Sequence, residues 1–266
     1  MIGILAGMGP KSTGPFIDQV VEQCQKIYGA KHDIDFPHMM IYSCPTPFYM
    51  DRPIDHAAME RAIIKGAQKL ENTGVDFIAI PCNTAHLYFN QLKSSVSVPL
   101  LNMVDETIKE IPRSSGRAAL LATSATVQSG IYQEAFLQSG IDYIHKESWQ
   151  ADVNQIISKI KTGQIDASIQ MWDKVCSELA ETVDTVIIAC TDLNVVSTKI
   201  WDQICFVDSS ACLARAVVNK YLSLPALVRT GATTKSESSI METRFFDDPP
   251  IWLIYLRRLA SDCKSP

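Results

Sequence analysis

Basic residues do not outnumber acidic ones in this chain: 24 Lys and Arg stand against 29 Asp and Glu, a formal net charge of −5. No Lys/Arg-rich run is present that could track a phosphate backbone, which argues against nucleic acid as a partner. No apolar run approaches the ~20 residues needed to span a bilayer, so no membrane association is expected. The apolar start, Met1-Ile2-Gly3-Ile4-Leu5-Ala6, has no basic leader and breaks at Gly7-Met8-Gly9-Pro10, so it reads as a first strand and not as a signal peptide. The 8 cysteines lack the close spacing of a disulfide scaffold, and free thiols in a reducing cytoplasm are the simplest expectation.

Other absences narrow the chemistry. Cys82 and His86 have the spacing of one ligand pair, but no second close pair completes a zinc set. His86 is then either a partner for the Cys82 thiol or a hydrogen-bonded structural residue. Gly7 to Gly14 superficially resembles a phosphate loop, yet it lacks the Gly-x4-Gly-Lys-Ser/Thr spacing and carries Pro10 where a free N–H would help. A small-residue turn that lets the backbone approach a compact ligand explains the same glycines. No lysine stands in a recognisable Schiff-base setting with a phosphate cup, which argues against pyridoxal phosphate. No cofactor and no metal are expected.

What the chain does contain is an internal repeat. Val75 to Thr84 matches Val183 to Asp192 at one constant offset, and each copy is an apolar, β-branched run leading directly to a cysteine, Cys82 or Cys190. Such a run reads as a buried strand delivering a reactive side chain at its carboxyl end. The match extends to Ile4-Leu5-Ala6-Gly7 with Leu120-Leu121-Ala122-Thr123, and to Pro99-Leu100-Leu101-Asn102 with Cys205-Phe206-Val207-Asp208. Three matched elements in the same order imply two similar α/β lobes.

Strands are expected at Ile2–Gly7, Met39–Ser43, Val75–Pro81, Val98–Leu101, Ala118–Ala122, Tyr143–Lys146, Val183–Ala189 and Cys205–Val207. Helices are expected at Phe16–Tyr28, Asp55–Asn72, Asp105–Ile111, Tyr132–Ser139, Val153–Lys161, Ala167–Glu181 and Ser209–Leu222. Their alternation predicts an α/β fold of two pseudo-symmetric lobes, each a parallel sheet flanked by helices, with ligands at the carboxyl ends of the strands. Residues 225–266 stand outside the repeat, as a polar, turn-rich tail packed on the surface or partly disordered.

Cys24, Cys44, Cys176, Cys205, Cys212 and Cys263 read as small buried hydrophobes. Cys82 and Cys190 differ because each follows a strand and precedes a helix start, where unpaired N–H groups and the helix dipole favour thiolate and attract carboxylates. With an ordinary thiol near 8.5, such help would bring them close to neutral.

Four segments, Gly7-Met8-Gly9-Pro10, Pro81-Cys82-Asn83-Thr84-Ala85-His86, Thr123 to Tyr132, and Ala189-Cys190-Thr191-Asp192, resemble in order and spacing the signature segments of the aspartate/glutamate racemase family. The resemblance covers about residues 1 to 224. It implies a cofactor-independent racemase of an acidic amino acid, aspartate before glutamate, with its site between the lobes and a homodimer as the assembly. Cys82 and Cys190 would be the two acid/base thiols, and Asn83, Thr84 and Thr191 would hold the substrate carboxylate. Arg52 and Lys161 would meet a side-chain carboxylate, while Met8, Gly9, Thr123, Thr126 and Asp192 would complete the substrate site. Asp192 stands where the family usually has glutamate. The first lobe would comprise 1–98 with 206–224, and the second 99–205. A diacid isomerase or decarboxylase on the same scaffold, and a non-catalytic protein that binds an acidic amino acid, are the alternatives.

Overall fold

A computed structural model describes residues 1–49, 52–112, 115–196 and 204–225. The chain divides into a unit of Met1–Ser223 and a second of Leu224–Pro266, so the expected tail lies, beyond its first residue, outside the described residues.

The first half runs β1 (Ile2–Ala6), α1 (Thr13–Tyr28), β2 (Met39–Ser43), α2 (His56–Glu71), β3 (Phe77–Ala79), α3 (Phe89–Ser95), β4 (Leu100–Leu101) and α4 (Met103–Lys109). The second runs β5 (Arg117–Leu121), α5 (Ser124–Ser129), α6 (Ile131–Ser139), β6 (Asp142–Tyr143), α7 (Glu147–Thr162), α8 (Ile165–Ala180), β7 (Thr185–Ile188), β8 (Cys205–Asp208) and α9 (Ser209–Ser223). All pairings are parallel, and the strand orders are β2-β1-β3-β4 and β6-β5-β7-β8. The two orders are the same permutation, so each cysteine-bearing strand occupies an interior position in its own sheet.

Local chemistry accounts for the main elements. The Asp55 side chain caps α2 by accepting from the Ala58 N–H at 2.9 Å, and Met59, Ile63, Ala67 and Leu70 then recur at helical spacing on its buried face. Gly29, at φ 74°, ends α1 in the left-handed conformation that glycine adopts without a Cβ penalty. In the first lobe the buried face of α2 meets Leu5, Ile78 and Ile80. In the second, Trp149, Ile156 and Ile160 of α7 and Trp172 and Val175 of α8 pack on Val186 and Ile188, while Tyr132 and Phe136 of α6 cover the opposite face at Leu120 and Ile187. Each such side chain contributes roughly 1.5–3 kcal/mol when fully buried.

The expected lobe boundaries fall one strand away from the observed pairing. Leu100–Leu101 pair with β3 in the first sheet, and Cys205–Asp208 pair with β7 in the second. What returns to the first lobe is α9, which packs on α1 as well as on α4. Cys205 is exposed, contrary to expectation, because it opens β8 at the sheet edge; Cys24, Cys44, Cys176 and Cys212 are buried. Cys263 lies outside the described residues. The short helices α3 and α5 were not signalled by periodicity. No helix among the described residues is long and apolar enough to cross a membrane.

Candidate active site

Because β3 and β7 lie inside their sheets, the chain leaving each runs over the middle of its lobe before turning. Ile80-Pro81 and Ala189 carry it to Cys82 and Cys190, which are 8% and 7% exposed and line one cavity of about 240 Å³. That volume suits a single small molecule. The cavity also takes in Met8 and Gly9 from the turn after β1, Asn83 and Thr84, Thr123, Lys161, and Thr191 and Asp192.

The turn after β1 requires glycine. Gly7 has φ +90°, and a Cβ there would lie 2.6 Å from the Cys44 backbone nitrogen. The turn is tied to the second lobe: the Thr191 hydroxyl donates to Ser12 Oγ at 3.1 Å, and Ser12 donates to the Gly9 carbonyl at 2.8 Å. Lys11, the lysine of the phosphate-loop-like segment, donates to the Ile160 carbonyl at 3.2 Å and so binds the end of α7.

Two polar groupings adjoin the Cys82 side. The hydroxyls of Thr84, Thr123 and Thr126 form a triangle with edges of 3.1, 3.1 and 3.0 Å that joins the lobes. Thr123 also caps α5 by accepting from the Thr126 N–H. Asn83 accepts from the Tyr132 hydroxyl at 2.6 Å and donates to Ser209 Oγ at 3.0 Å, and Ser209 donates to the Ile188 carbonyl at 2.8 Å. These bonds fix the Asn83 amide in one orientation and use one of its two N–H groups.

On the Cys190 side, Lys161 Nζ lies 2.8 Å from Asp192 Oδ2. A Cβ on Gly9 would sit 3.0 Å from that Nζ and 3.1 Å from Asp192 Oδ1, closer than ordinary van der Waals contact, so glycine is what lets the turn after β1 pack against the pair. Burial would depress the Lys161 ammonium, but the Asp192 charge and hydrogen bond more than offset it and raise its pKa.

Burial pushes the Cys82 thiol up to about 11 and the Cys190 thiol up to about 12. The Asp192 charge raises both further, while Lys161 and backbone N–H groups act in the opposite direction. The near-neutral thiols expected of helix starts therefore do not occur. Short 3-10 turns, Thr84–Tyr88 and Thr191–Val195, follow the cysteines, and their N–H groups do not outweigh desolvation.

His86 resolves to the structural alternative. Its Nδ1 bonds the Cys82 carbonyl at 2.8 Å and its Nε2 accepts from the Met103 N–H at 2.9 Å, which uses both ring nitrogens and defines a neutral tautomer. Of the expected substrate residues, Arg52 and Thr126 do not line this cavity. Thr126 is fully buried behind Thr84 and Thr123. Arg52 lines an adjoining recess of about 600 Å³ that shares Phe48 and Thr123, with its guanidinium carbon 4.4 Å from the Tyr49 ring centroid. Pro45, Thr46, Phe48 and Met59 line the main cavity without having been foreseen. Pro45, Thr46 and Phe48 follow the carboxyl end of β2, so the same rule that singled out the cysteine loops could have found them. Among the described residues no group of three or more His, Cys, Asp or Glu is placed to hold a metal ion.

Two similar α/β lobes thus each bring one cysteine to a single cavity. The model of the Asp/Glu/hydantoin racemase family matches residues 5–217, and the chain belongs to that family. It is 56% identical over 224 residues to the broad specificity amino-acid racemase RacX of Bacillus subtilis, covering 84% of this chain and 99% of that protein. Among solved structures it is similar to the Picrophilus torridus aspartate racemase, with a TM-score of 0.71 and 28% identity over 82% of this chain and 93% of that one. Glutamate racemase isoform RacE1 of Bacillus anthracis shares the fold at a TM-score of 0.61 and 14% identity, over 84% of this chain and 81% of that one.

Proposed function

We propose that this amino-acid racemase, an isomerase, inverts the α-carbon of a free amino acid with its two cysteines as acid and base and without a cofactor. The observation that carries the proposal is the arrival of Cys82 and Cys190 at one small cavity from equivalent strand ends of the two sheets. A thiolate on one side takes the α-proton, and the thiol opposite delivers a proton to the other face of the carbanion. The two sulfurs exchange roles in the reverse direction.

The α-proton is only weakly acidic, so the site must stabilise charge on the carboxylate as the proton leaves. The groups suited to this are the free N–H of Asn83 and the hydroxyls of Thr84, Thr123 and Thr191, which turn from their partners in the triangle and at Ser12 to donate. Both thiols stand above neutral, so the reactive form, one thiolate facing one thiol, is a minor species at pH 7. Lys161, which lowers both thiols, favours that form.

For the substrate, we propose a range that contains aspartate and glutamate without being confined to them. Three observations support breadth: the 56% identical relative carries the name of a broad specificity racemase, Lys161 is already paired with Asp192, and Arg52 stands on the adjoining recess. The test is proton NMR of L-aspartate, L-glutamate, L-alanine and L-lysine with the purified protein in D2O, combined with chiral analysis. Loss of the α-proton signal with appearance of the D-enantiomer is expected, and carbonyl reagents that capture pyridoxal phosphate should leave the rate unchanged. Absence of exchange for every amino acid would overturn the reading and favour a diacid substrate or simple binding.

A further inference from the structure

Besides the thiols and the carboxylate-binding groups, the cavity contains one charged feature that the two-thiol mechanism does not require. Lys161 and Asp192 are the charged residues among its described lining, and they face each other at 2.8 Å with Asp192 6% and Lys161 29% exposed. They come from different elements, the last turn of α7 and the 3-10 turn after Cys190, so the pairing is a product of the fold. The Gly9 backbone packs against both charged atoms, too close for a Cβ, and Phe48 flanks the pair, its ring centroid 5.9 Å from Lys161 Nζ.

We infer that the Lys161–Asp192 pair reads the substrate side chain, and that it accepts acidic, basic and uncharged side chains because it presents both signs of charge. The inference rests on the racemase reading above. A lone Lys161 would leave a partly buried cation to be neutralised and would select acidic substrates; a lone buried Asp192 would select basic ones. Together they need no third charge. An uncharged side chain leaves the pair closed. An acidic one takes N–H donors of Lys161 beyond the one engaged with Asp192, and a basic one takes Asp192 Oδ1, the oxygen not paired with Lys161. The cost of widening the range is that no charged substrate receives a full, uncontested counter-ion.

The experiment compares kcat/KM for aspartate, alanine and lysine in the intact chain and in Asp192→Asn, Lys161→Met and the double variant. Ratios are the readout, because both residues also act on the thiols and any change in thiolate supply moves all three substrates together. Asp192→Asn should raise the aspartate-to-alanine ratio and lower the lysine-to-alanine ratio, each by roughly tenfold, equivalent to about 1.4 kcal/mol. Lys161→Met should do the reverse, and the double variant should favour alanine over both. Gly9→Ala supplies an independent probe that keeps both charges: a methyl pressed against Lys161 Nζ and Asp192 Oδ1 should disturb the pair and lower both charged-substrate ratios. Unchanged ratios across these variants would overturn the inference. So would an equal fall for all three substrates in Asp192→Asn, which would place Asp192 on the thiols or on the α-ammonium group that all three share. Failure of the racemase reading is distinguishable, since the unaltered chain would then exchange none of the three.

Discussion

The two cysteine loops occupy equivalent places in equivalent sheets, yet they differ in charge. Cys82 is followed by the neutral Asn83, held by Tyr132 and Ser209, and Thr84, held by Thr123 and Thr126, whereas Cys190 is followed by Thr191 and the ion pair of Asp192 with Lys161. The consequence is visible in the thiols, pushed up to about 11 on the first side and about 12 on the second, where the Asp192 charge is second only to burial among the causes. Duplication thus supplies the near-symmetric geometry that inversion of a carbon centre needs. Divergence of the following two residues gives one side of the cavity neutral polar groups and the other the charged ones.

The most disruptive way to break the comparison is to remove one sulfur at a time. Cys82→Ser and Cys190→Ser should each lower racemisation by on the order of 10³-fold or more, because a hydroxyl is too weak an acid to replace the thiol. In D2O each variant should retain α-proton exchange with one enantiomer only, and with opposite enantiomers, since each keeps the base on one face. Exchange of the same enantiomer in both would refute the opposed placement.

A smaller effect sharpens the electrostatic difference. Because both thiols stand above neutral, the thiolate fraction of the free enzyme grows with pH, and kcat/KM should climb by up to about tenfold per pH unit from neutral until the first thiol has ionised. It should then fall as the second proton is lost. Asp192→Asn removes a charge that raises the thiols, so the rising limb should move to lower pH; Asn83→Ala removes no charge and should lower kcat/KM without moving the limb. A profile flat from pH 7 to about 9 would contradict the burial of both protonated groups.

The turns before the cysteine loops differ in a way that stability measurements can read. Gly7→Ala forces a Cβ against the Cys44 backbone at a positive φ and should cost about 1–3 kcal/mol. In a chain of this length each kcal/mol lowers Tm by roughly 2–4 °C. Thr123, its counterpart in the second lobe, contributes a cap and one corner of the hydroxyl triangle. Thr123→Ala should cost about 1 kcal/mol, with a rise in KM as the distinguishing sign. Differential scanning calorimetry of the two variants would rank them.

The repeat was legible because β3 and β7 are buried on both faces, which imposes continuous β-branched runs that keep their pattern in sequence. The cysteines could be singled out because they end those runs. Lobe boundaries were less legible: β4 is two residues long, β8 lies at a sheet edge, and neither length nor periodicity says which sheet such a strand joins. Helix α5, six residues long, is also too short for a periodic signal, although the residue that caps it, Thr123, is among the substrate-site residues the sequence suggested. The thiol acidities were misjudged because the helix-start argument has no access to burial. The Lys161–Asp192 pair was hidden for a different reason: its members are distant in sequence, and nothing in Lys159-Ile160-Lys161-Thr162-Gly163 announces a partner after the second cysteine.

The return of α9 to the first lobe bears on the order in which the protein can be made. Phe16, Val20 and Cys24 form the buried face of α1, and α9, the last helix of the first unit to be synthesised, packs on that helix. A nascent chain that has already produced β1 to β4 therefore carries an incomplete first lobe, and Asn83 has neither Tyr132 nor Ser209 to orient it. The second sheet must leave the ribosome before the first lobe can be finished. The proposed acid/base site is thus completed only after α9 has been made, and a chain halted between residues 113 and 208 would expose thiols without assembling the cavity that shields them.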